Sequence, residues 1–577
     1  MKCCFKGCEN KVFENLDKCA LHCSSEIIID ENKYLSEFNN FFAKYILAKI
    51  KNLNGLRCED WHDILQELSL KDISFINFHQ NEILKEILNT KVIYIKNICF
   101  PKIKNKSLSN FHYITDQFDS IFFESCFFGC NAVVSKSHKY YYKECLFNGD
   151  LRIKASLMYL DKGAKENEGK KRDTLLLHEE VYRYSRCNFS GDVNITNNYD
   201  YKENSNYNYI VFNIFENCNF RGNISIENIR INSIFINFNN KNNYIVDKNK
   251  LDFKEISILE CDFDSDFRLN GFENKEKFED DDITESVIIP VKINKIFVKD
   301  TKFNKKFEIK NSEVGDFKFK NSNVEKVFDA FESRFEKLYF YKSIFTDFAG
   351  FEKVEFGLEG QDVESYQAKF IYTTFMSFSN FRRTRFLSGL DFENSNLKEQ
   401  PNFLKTKISP KNTNRETFRI IKNSFESVGN KLEANKFFVL EMDAYRKDLF
   451  KDLDRDSEEQ EVLDKRYSEK FIFVSNWLIS GFGRSYIRPL LLLISSIFAY
   501  NIFYNFYEMF YKTDIYSLPR DISIISDSLN NSARSFFPFS RFVEKRTGFE
   551  FISLLFVIWF AILTWQIVVA VKRNTQH

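Results

Sequence analysis

Four residues near the N-terminus have the types and spacing to hold a metal ion. Cys3, Cys8, Cys19 and His22 read as C-x4-C-x10-C-x2-H within the segment CCFKGCENKVFENLDKCALHC, residues 3–23. Two close pairs joined by a short loop can close a tetrahedron around one zinc ion, and such a site folds a segment too short for a hydrophobic core. Cys4 and Cys23 adjoin these positions. The choice between Cys3 and Cys4, and between His22 and Cys23, therefore stays open. A catalytic zinc needs an open position and a base, which no nearby pattern supplies, so the expected cofactor is structural Zn2+. The competing reading is a group of free, reduced thiols.

No other constellation suggests chemistry. His178-Glu179-Glu180 is not followed by the second His that a metalloprotease helix needs, and no Gly-rich phosphate loop with Lys-Ser/Thr occurs. The acidic residues are scattered, so the chain is not expected to be an enzyme. Lys+Arg number 82 against Asp+Glu 81. With no basic domain or stripe, nucleic acid is not an expected partner.

All 13 cysteines precede residue 262, and no long apolar run precedes the first. This pattern predicts reduced thiols or metal ligands and a cytoplasmic soluble body. Near the other end, residues 490–507 and 551–571 carry no charge. Each run is long enough to cross about 30 Å of hydrocarbon at about 1.5 Å per residue. Arg484 and Arg488 precede the first run, and Lys572 and Arg573 follow the second. Positive flanks prefer the cytoplasm, which predicts a multi-pass protein of the inner (cytoplasmic) membrane with both termini inside. The loop between, with six cations and six anions, weakens this rule without reversing it. Asn501, Asn505 and Gln566 lie within the apolar runs. They read either as helix-packing hydrogen-bond partners or as the lining of a polar path.

The elements that must position these groups are repetitive. A 577-residue chain is too long for one core, and 66 Phe need a regular place to be buried. Tyr142, Cys145, Phe147, Leu151 and Ile153 form one copy of a pattern. It recurs as Tyr184, Cys187, Phe189, Val193 and Ile195, then as Phe215, Cys218, Phe220, Ile224 and Ile226. Later copies run through Cys261 and Phe263 and through Thr301 and Phe303, and a weaker first copy is Phe123, Cys126, Phe128, Ala132 and Val134. Alternating apolar positions predict short strands with one buried face, and the polar inserts between copies predict loops. The cysteines inside the copies read as small packing residues.

From residue 309 the period tightens to five, in Ile309, Val314, Phe319 and Val324 and in Phe335, Phe340 and Phe345. Phe370, Phe381, Phe392 and Phe403 are eleven apart, interleaved by Phe375, Phe386, Leu397 and Ile408. Ser312, Ser322, Ser333, Ser343, Thr373, Thr384, Ser395 and Thr406 each sit two residues before one of these apolar positions. A spacing of five fits neither helix nor plain strand; it fits a chain that turns a corner after each short strand.

These residues resemble the pentapeptide-repeat family, whose motif is a central Leu or Phe with a small residue two positions earlier. The resemblance covers about residues 120–410 and is clearest over 309–408; here Phe replaces the family's usual Leu. It implies a right-handed, four-sided β-solenoid with the central and small residues inward. Residues 415–450 read as two helices around Gly429-Asn430, with Phe418, Ile421, Phe425 and Val428 on one face and Leu432, Ala434, Phe437, Leu440 and Met442 continuing the pattern. Together with the two later apolar runs, this looks like the hairpin of bacterial, membrane-anchored members of the family.

The expected fold is mainly β. It comprises a zinc knuckle (1–24), a helical region (25–110), the solenoid (111–410), a helical hairpin with a charged linker (411–470) and a membrane domain (471–577) with two transmembrane helices. Two functions follow. One is a membrane-anchored scaffold that binds an unidentified protein partner, with membrane lipid around its anchor. The other is a homo-oligomeric two-helix ion channel or pore gated by the solenoid; a monomer with two spans cannot enclose a path.

Overall fold

The computed structural model describes residues 1–14, 16–23, 31–51, 92–100, 120–129, 132–134, 140–154, 182–196, 209–210, 213–231, 233–237, 252–277, 284–360, 364–451, 460–511, 530 and 548–575. The chain divides into two compact units, Met1–Asn412 and Thr413–His577.

The first unit is a solenoid-like stack of parallel strands. Val92–Lys96, Ser120–Glu124, Tyr140–Lys143, Tyr184–Ser185, Phe215–Glu216 and Ile236–Asn237 pair side by side in one sheet. Cys99–Phe100, Phe127–Phe128, Leu146–Phe147, Asn188–Phe189 and Asn219–Phe220 do so in a second. A third sheet of 13 strands runs on to Lys407–Ile408. Among the described strands, only the hairpin Phe272–Lys277 with Thr284–Ile289 is antiparallel. Successive circuits align in register. Contacts between them span 21 residues in the middle of the stack, as from Thr301 to Ser322 and Ser312 to Ser333. Near its end, Ser377 meets Glu399 across 22.

The register explains why Phe dominates. Phe100, Phe128, Phe147, Phe189 and Phe220 stack in a column at 4.8, 4.7, 4.9 and 5.0 Å between ring centroids. The strand-to-strand distance is about 4.8 Å, so identical flat side chains on neighbouring circuits stack face on face at no cost in register. Phe351, Phe381 and Phe403 repeat the arrangement at 4.9 and 5.0 Å.

The small residues have a separate job. The residue just before each adopts a left-handed conformation: Ser125, Glu144, Arg186, Asn217 and Glu260 precede cysteines, and Asp300, Asn321, Lys342 and Tyr372 precede Thr301, Ser322, Ser343 and Thr373. The small side chain then donates to carbonyls freed at this corner. Cys218 Sγ reaches the Glu216 oxygen at 3.4 Å and the Tyr184 oxygen one circuit away at 3.2 Å. Ser333 Oγ does the same with Phe331 and Ile309, at 3.4 and 2.7 Å. A short side chain with one donor is what the corner accommodates. Burial raises the Cys126 and Cys187 thiols and pushes Cys261 up to about 12. These are inert packing cysteines rather than nucleophiles.

The expected helical region is only partly helical. Helix α1, Glu31–Lys51, buries Tyr34, Phe38, Phe42 and Ile46 on one face. Trp61, Leu65 and Leu68 lie outside the described residues. Val92–Phe100, however, is already strand, with Ile93, Ile95, Ile98 and Phe100 buried. Ile98 takes the corner position that later circuits give to Cys or Thr, after left-handed Asn97, which hid this circuit from a pattern built on small residues. The strand stack therefore starts before residue 110.

In the second unit, α2 (Arg415–Ser427) starts at Asn414, whose side chain accepts from Thr417 N, and a turn at Gly429 (φ 75°) leads to α3 (Lys431–Lys451). Phe418, Ile421, Phe425, Ala434 and Phe437 are buried as their spacing predicts. Val428 and Leu432 are exposed instead, because they flank the turn where the helical face ends. Helix α4 (Gln460–Ser480) follows, then α5 (Ile487–Tyr511) and α6 (Glu550–Thr575). Ile487–Met509 and Glu550–Thr575 are long and apolar enough to cross a membrane, with mean hydropathy 1.5 and 2.5. They pack through Tyr500 Oη to Ser553 Oγ at 2.9 Å and Trp559 Nε1 donating to Ser496 Oγ at 3.0 Å. Phe498, Ile502, Phe506 and Trp565 stay largely exposed, an apolar exterior suited to lipid.

Candidate metal centre and a basic, aromatic face

The N-terminal segment folds as two turns facing each other. Cys8 N donates to the Phe5 carbonyl at 3.0 Å around Gly7 (φ 83°), and His22 N donates to the Cys19 carbonyl at 2.9 Å. The turns bring Cys3, Cys8, Cys19 and His22 together, with all four donor atoms within 4.8 Å of one another. Cys8 Sγ and Cys19 Sγ are 3.7 Å apart; His22 Nδ1 lies 3.5 Å from Cys3 Sγ and 3.2 Å from Cys19 Sγ. Bonds of about 2.3 Å to sulfur and about 2.0 Å to nitrogen give tetrahedral edges of roughly 3.5–3.8 Å, so the donor set fits a four-coordinate cation.

The donor set that this arrangement gathers is Cys3, Cys8, Cys19 and His22. Cys4 points outward to Asp17 Oδ2 at 3.4 Å, and Cys23 is buried but is not one of the four grouped donors. Residues that spacing did not single out complete the site. Phe5 stacks on the His22 ring at 4.2 Å, fixing its plane. The Cys19 amide donates to Cys3 Sγ at 3.2 Å and Asn10 Nδ2 reaches Cys19 Sγ at 3.9 Å, outer contacts of the kind that orient ligands. Burial pushes the Cys19 thiol up to about 12. Burial also acts to raise Cys3, but amide N–H groups of Phe5 and Cys19 outweigh it and bring that thiol below its ordinary value. Burial, with the Lys18 charge, lowers His22 and favours its neutral, ligating form.

The knuckle also closes the end of the strand stack. The Cys99 amide, in the first circuit, donates to the Leu21 carbonyl at 2.7 Å, where later circuits find a preceding strand. Tyr34 Oη of α1 donates to the Ala20 carbonyl at 2.8 Å, and Phe38 and Phe42 meet Phe100 at 5.9 and 5.6 Å.

Of the polar residues in the apolar helices, Gln566 is held by α4: its amide donates to Asn476 Oδ1 at 2.9 Å and accepts from Ser480 Oγ at 3.0 Å. Asn501 and Asn505 are not brought to it. They face outward, one turn apart, and have no partner among the described residues.

A second feature was not visible in composition. On the outer side of the large sheet, Phe297, Lys318, Tyr339 and Lys369 align across four circuits, flanked by Lys299, Lys320 and Tyr341. Lys318, Lys299 and Lys369 have carboxylate partners in Asp316, Asp300 and Glu364. Lys320, Lys337 and Lys342 form no ion pair among the described residues; they lie 5.4, 4.8 and 5.3 Å over the rings of Tyr339, Tyr366 and Tyr341. Only the register, which adds together residues far apart in sequence, assembles this face.

No protein-family model, curated protein or solved structure matches this chain.

Proposed function

We propose that this protein is a membrane-anchored scaffold of the pentapeptide-repeat type: a right-handed solenoid on the cytoplasmic side, capped by a structural zinc knuckle and held by two spans. Its Lys–Tyr face docks an acidic segment of a protein partner. The observation that carries this reading is the face itself, where three lysines without carboxylates lie over tyrosine rings along the large sheet and at its border. Tyrosine is a residue from which binding hot spots are made, and a lysine ammonium held over its ring is a cation left for an acidic partner. Arg484, Arg488, Lys572 and Arg573 flank the spans on the side assigned to the cytoplasm.

The test is proximity labelling in the native membrane with the full chain and a Lys320→Glu, Tyr339→Ala, Tyr341→Ala variant. Hot-spot truncations of about 2 kcal/mol each predict at least a thirtyfold loss of the labelled partner. An unchanged partner set in the variant removes the reading, as does nucleic acid as the crosslinked species.

Asn501 and Asn505 favour a second reading, the oligomeric pore. Two unpartnered amides on the outward face of a membrane helix need partners in lipid, and a second copy supplies them. Subunit counting in detergent and bilayer conductance test it together. Wild type is expected to be multimeric and conducting, and Asn501→Leu with Asn505→Leu to lower both. A silent, monomeric wild type ends the pore reading.

A further inference from the structure

Between α3, α4 and the start of α5 lies an open hollow of about 470 Å³, walled in part by Arg484, Arg488, Trp477, Tyr486 and Asn574. A neighbouring hollow of about 320 Å³ shares Arg484 and Asn574 and adds Lys436 and Arg573. Two left-handed glycines border these cations, and only Gly483 is close enough for an added side chain to crowd one. At Gly481 (φ 57°) a Cβ would come 3.5 Å from Arg488 Nη1, and at Gly483 (φ 81°) it would come 3.0 Å from the Arg573 guanidinium. Arg573 is already engaged, donating to the Phe482 carbonyl and lying 4.3 Å over the Phe438 ring. Arg484 and Arg488 are exposed and form no ion pair among the described residues. The one acid on the wall, Asp443, has Arg446 Nε 3.5 Å from its Oδ1, an ion pair without a hydrogen bond. Ser485 opens α5, accepting from the Arg488 amide at 3.4 Å, so the positive end of a 25-residue helix faces the same hollow.

We propose that this hollow binds the phosphate of an anionic phospholipid headgroup. The reasoning rests on the membrane reading of α5. Arg488 precedes the uncharged run at Leu490 by two residues, or about 3 Å of helix, which sets the hollow at headgroup depth. Trp477 and Tyr486 on its wall are the residue types that settle at that level. Two arginines without ion pairs and a helix N-terminus line one concave site, the chemistry that holds a phosphate ester. Inorganic phosphate shares that chemistry, so the source is part of the test.

The full chain is purified from membranes in mild detergent, exposed to equal phosphatidylglycerol and phosphatidylcholine, and examined by native mass spectrometry. Wild type is expected to retain phosphatidylglycerol preferentially. Arg484→Gln with Arg488→Gln is expected to lower that preference about thirtyfold, at about one tenfold step per 1.4 kcal/mol and about 1 kcal/mol per cation. Arg484→Lys with Arg488→Lys restores most of it, which separates charge from folding. Equal retention of both lipids by wild type, or an undiminished preference in the Gln variant, overturns the inference. Displacement of the lipid by inorganic phosphate overturns the lipid as its source. Recovery of wild type in the soluble fraction would instead fail the membrane reading, and this inference with it.

Discussion

Cys19→Ser is expected to abolish stoichiometric zinc and to unravel the first circuits of the strand stack. Cys19 is fully buried, and its sulfur lies 3.7 Å from Cys8 Sγ and 3.2 Å from His22 Nδ1, at the centre of the donor set. Structural zinc contributes about 10–16 kcal/mol to small metal-dependent folds. Here the knuckle has few apolar residues of its own, with Phe13, Ala20 and Leu21 the buried ones beside its cysteines. Its loss exposes the stack end, because the Cys99 amide loses the Leu21 carbonyl and α1 loses the anchor for Tyr34. A solenoid without its cap frays from that end while more distant circuits persist.

Metal analysis should therefore find one zinc per wild-type chain and none in Cys19→Ser or Cys8→Ser. Hydrogen exchange should show protection lost at residues 92–100 and kept at 312–345. Cys4→Ser should leave both unchanged, because Cys4 faces Asp17 outside the cluster. Wild type without zinc, or zinc loss that leaves residues 92–100 protected, would refute the capping role.

Phe340→Ala is expected to cost about 3–5 kcal/mol, the usual range for a large aromatic removed from a core. Phe340 is fully buried and meets Phe319, Phe328, Phe345 and Phe370 at 5.2–5.8 Å, reaching circuits on both sides of its own. Its removal leaves a cavity that stacked neighbours, pinned at the strand spacing, cannot collapse to fill. Phe378→Ala, on the outside of the stack and 37% exposed, should cost well under 1 kcal/mol. Urea titration of the full chain in detergent, read alongside exchange at the neighbouring circuits, compares the two. Similar costs for both variants would mean that the buried columns do not carry the stability.

Much of this was legible in one dimension. The gathering of Cys3, Cys8, Cys19 and His22 followed from residue type and separation, since a turn confines Cys19 and His22 to one side whatever the rest of the chain does. The strand template over 142–153 and 184–195 is a local alternation, and the structure keeps those residues buried and in register. The first circuit escapes the pattern because its corner carries Ile98, an apolar residue in a place that most circuits give to a small donor, Ile229 and Val354 being others. Burial at a corner depends on the circuit beside it, which no local window contains.

The sequence by itself determined which strand positions alternate inward, where the apolar helices lie and that a set of Cys and His near the N-terminus can gather. All three are written in spacing along the chain, and local backbone geometry converts spacing into direction. The tertiary structure alone decided the rest. It chose Cys3 over Cys4 and His22 over Cys23, tied Gln566 to Asn476, turned Asn501 and Asn505 outward, and aligned Lys318, Tyr339 and Lys369 from separate circuits. Those outcomes depend on contacts between residues distant in sequence, and such contacts exist only once the circuits have stacked and the helices have packed.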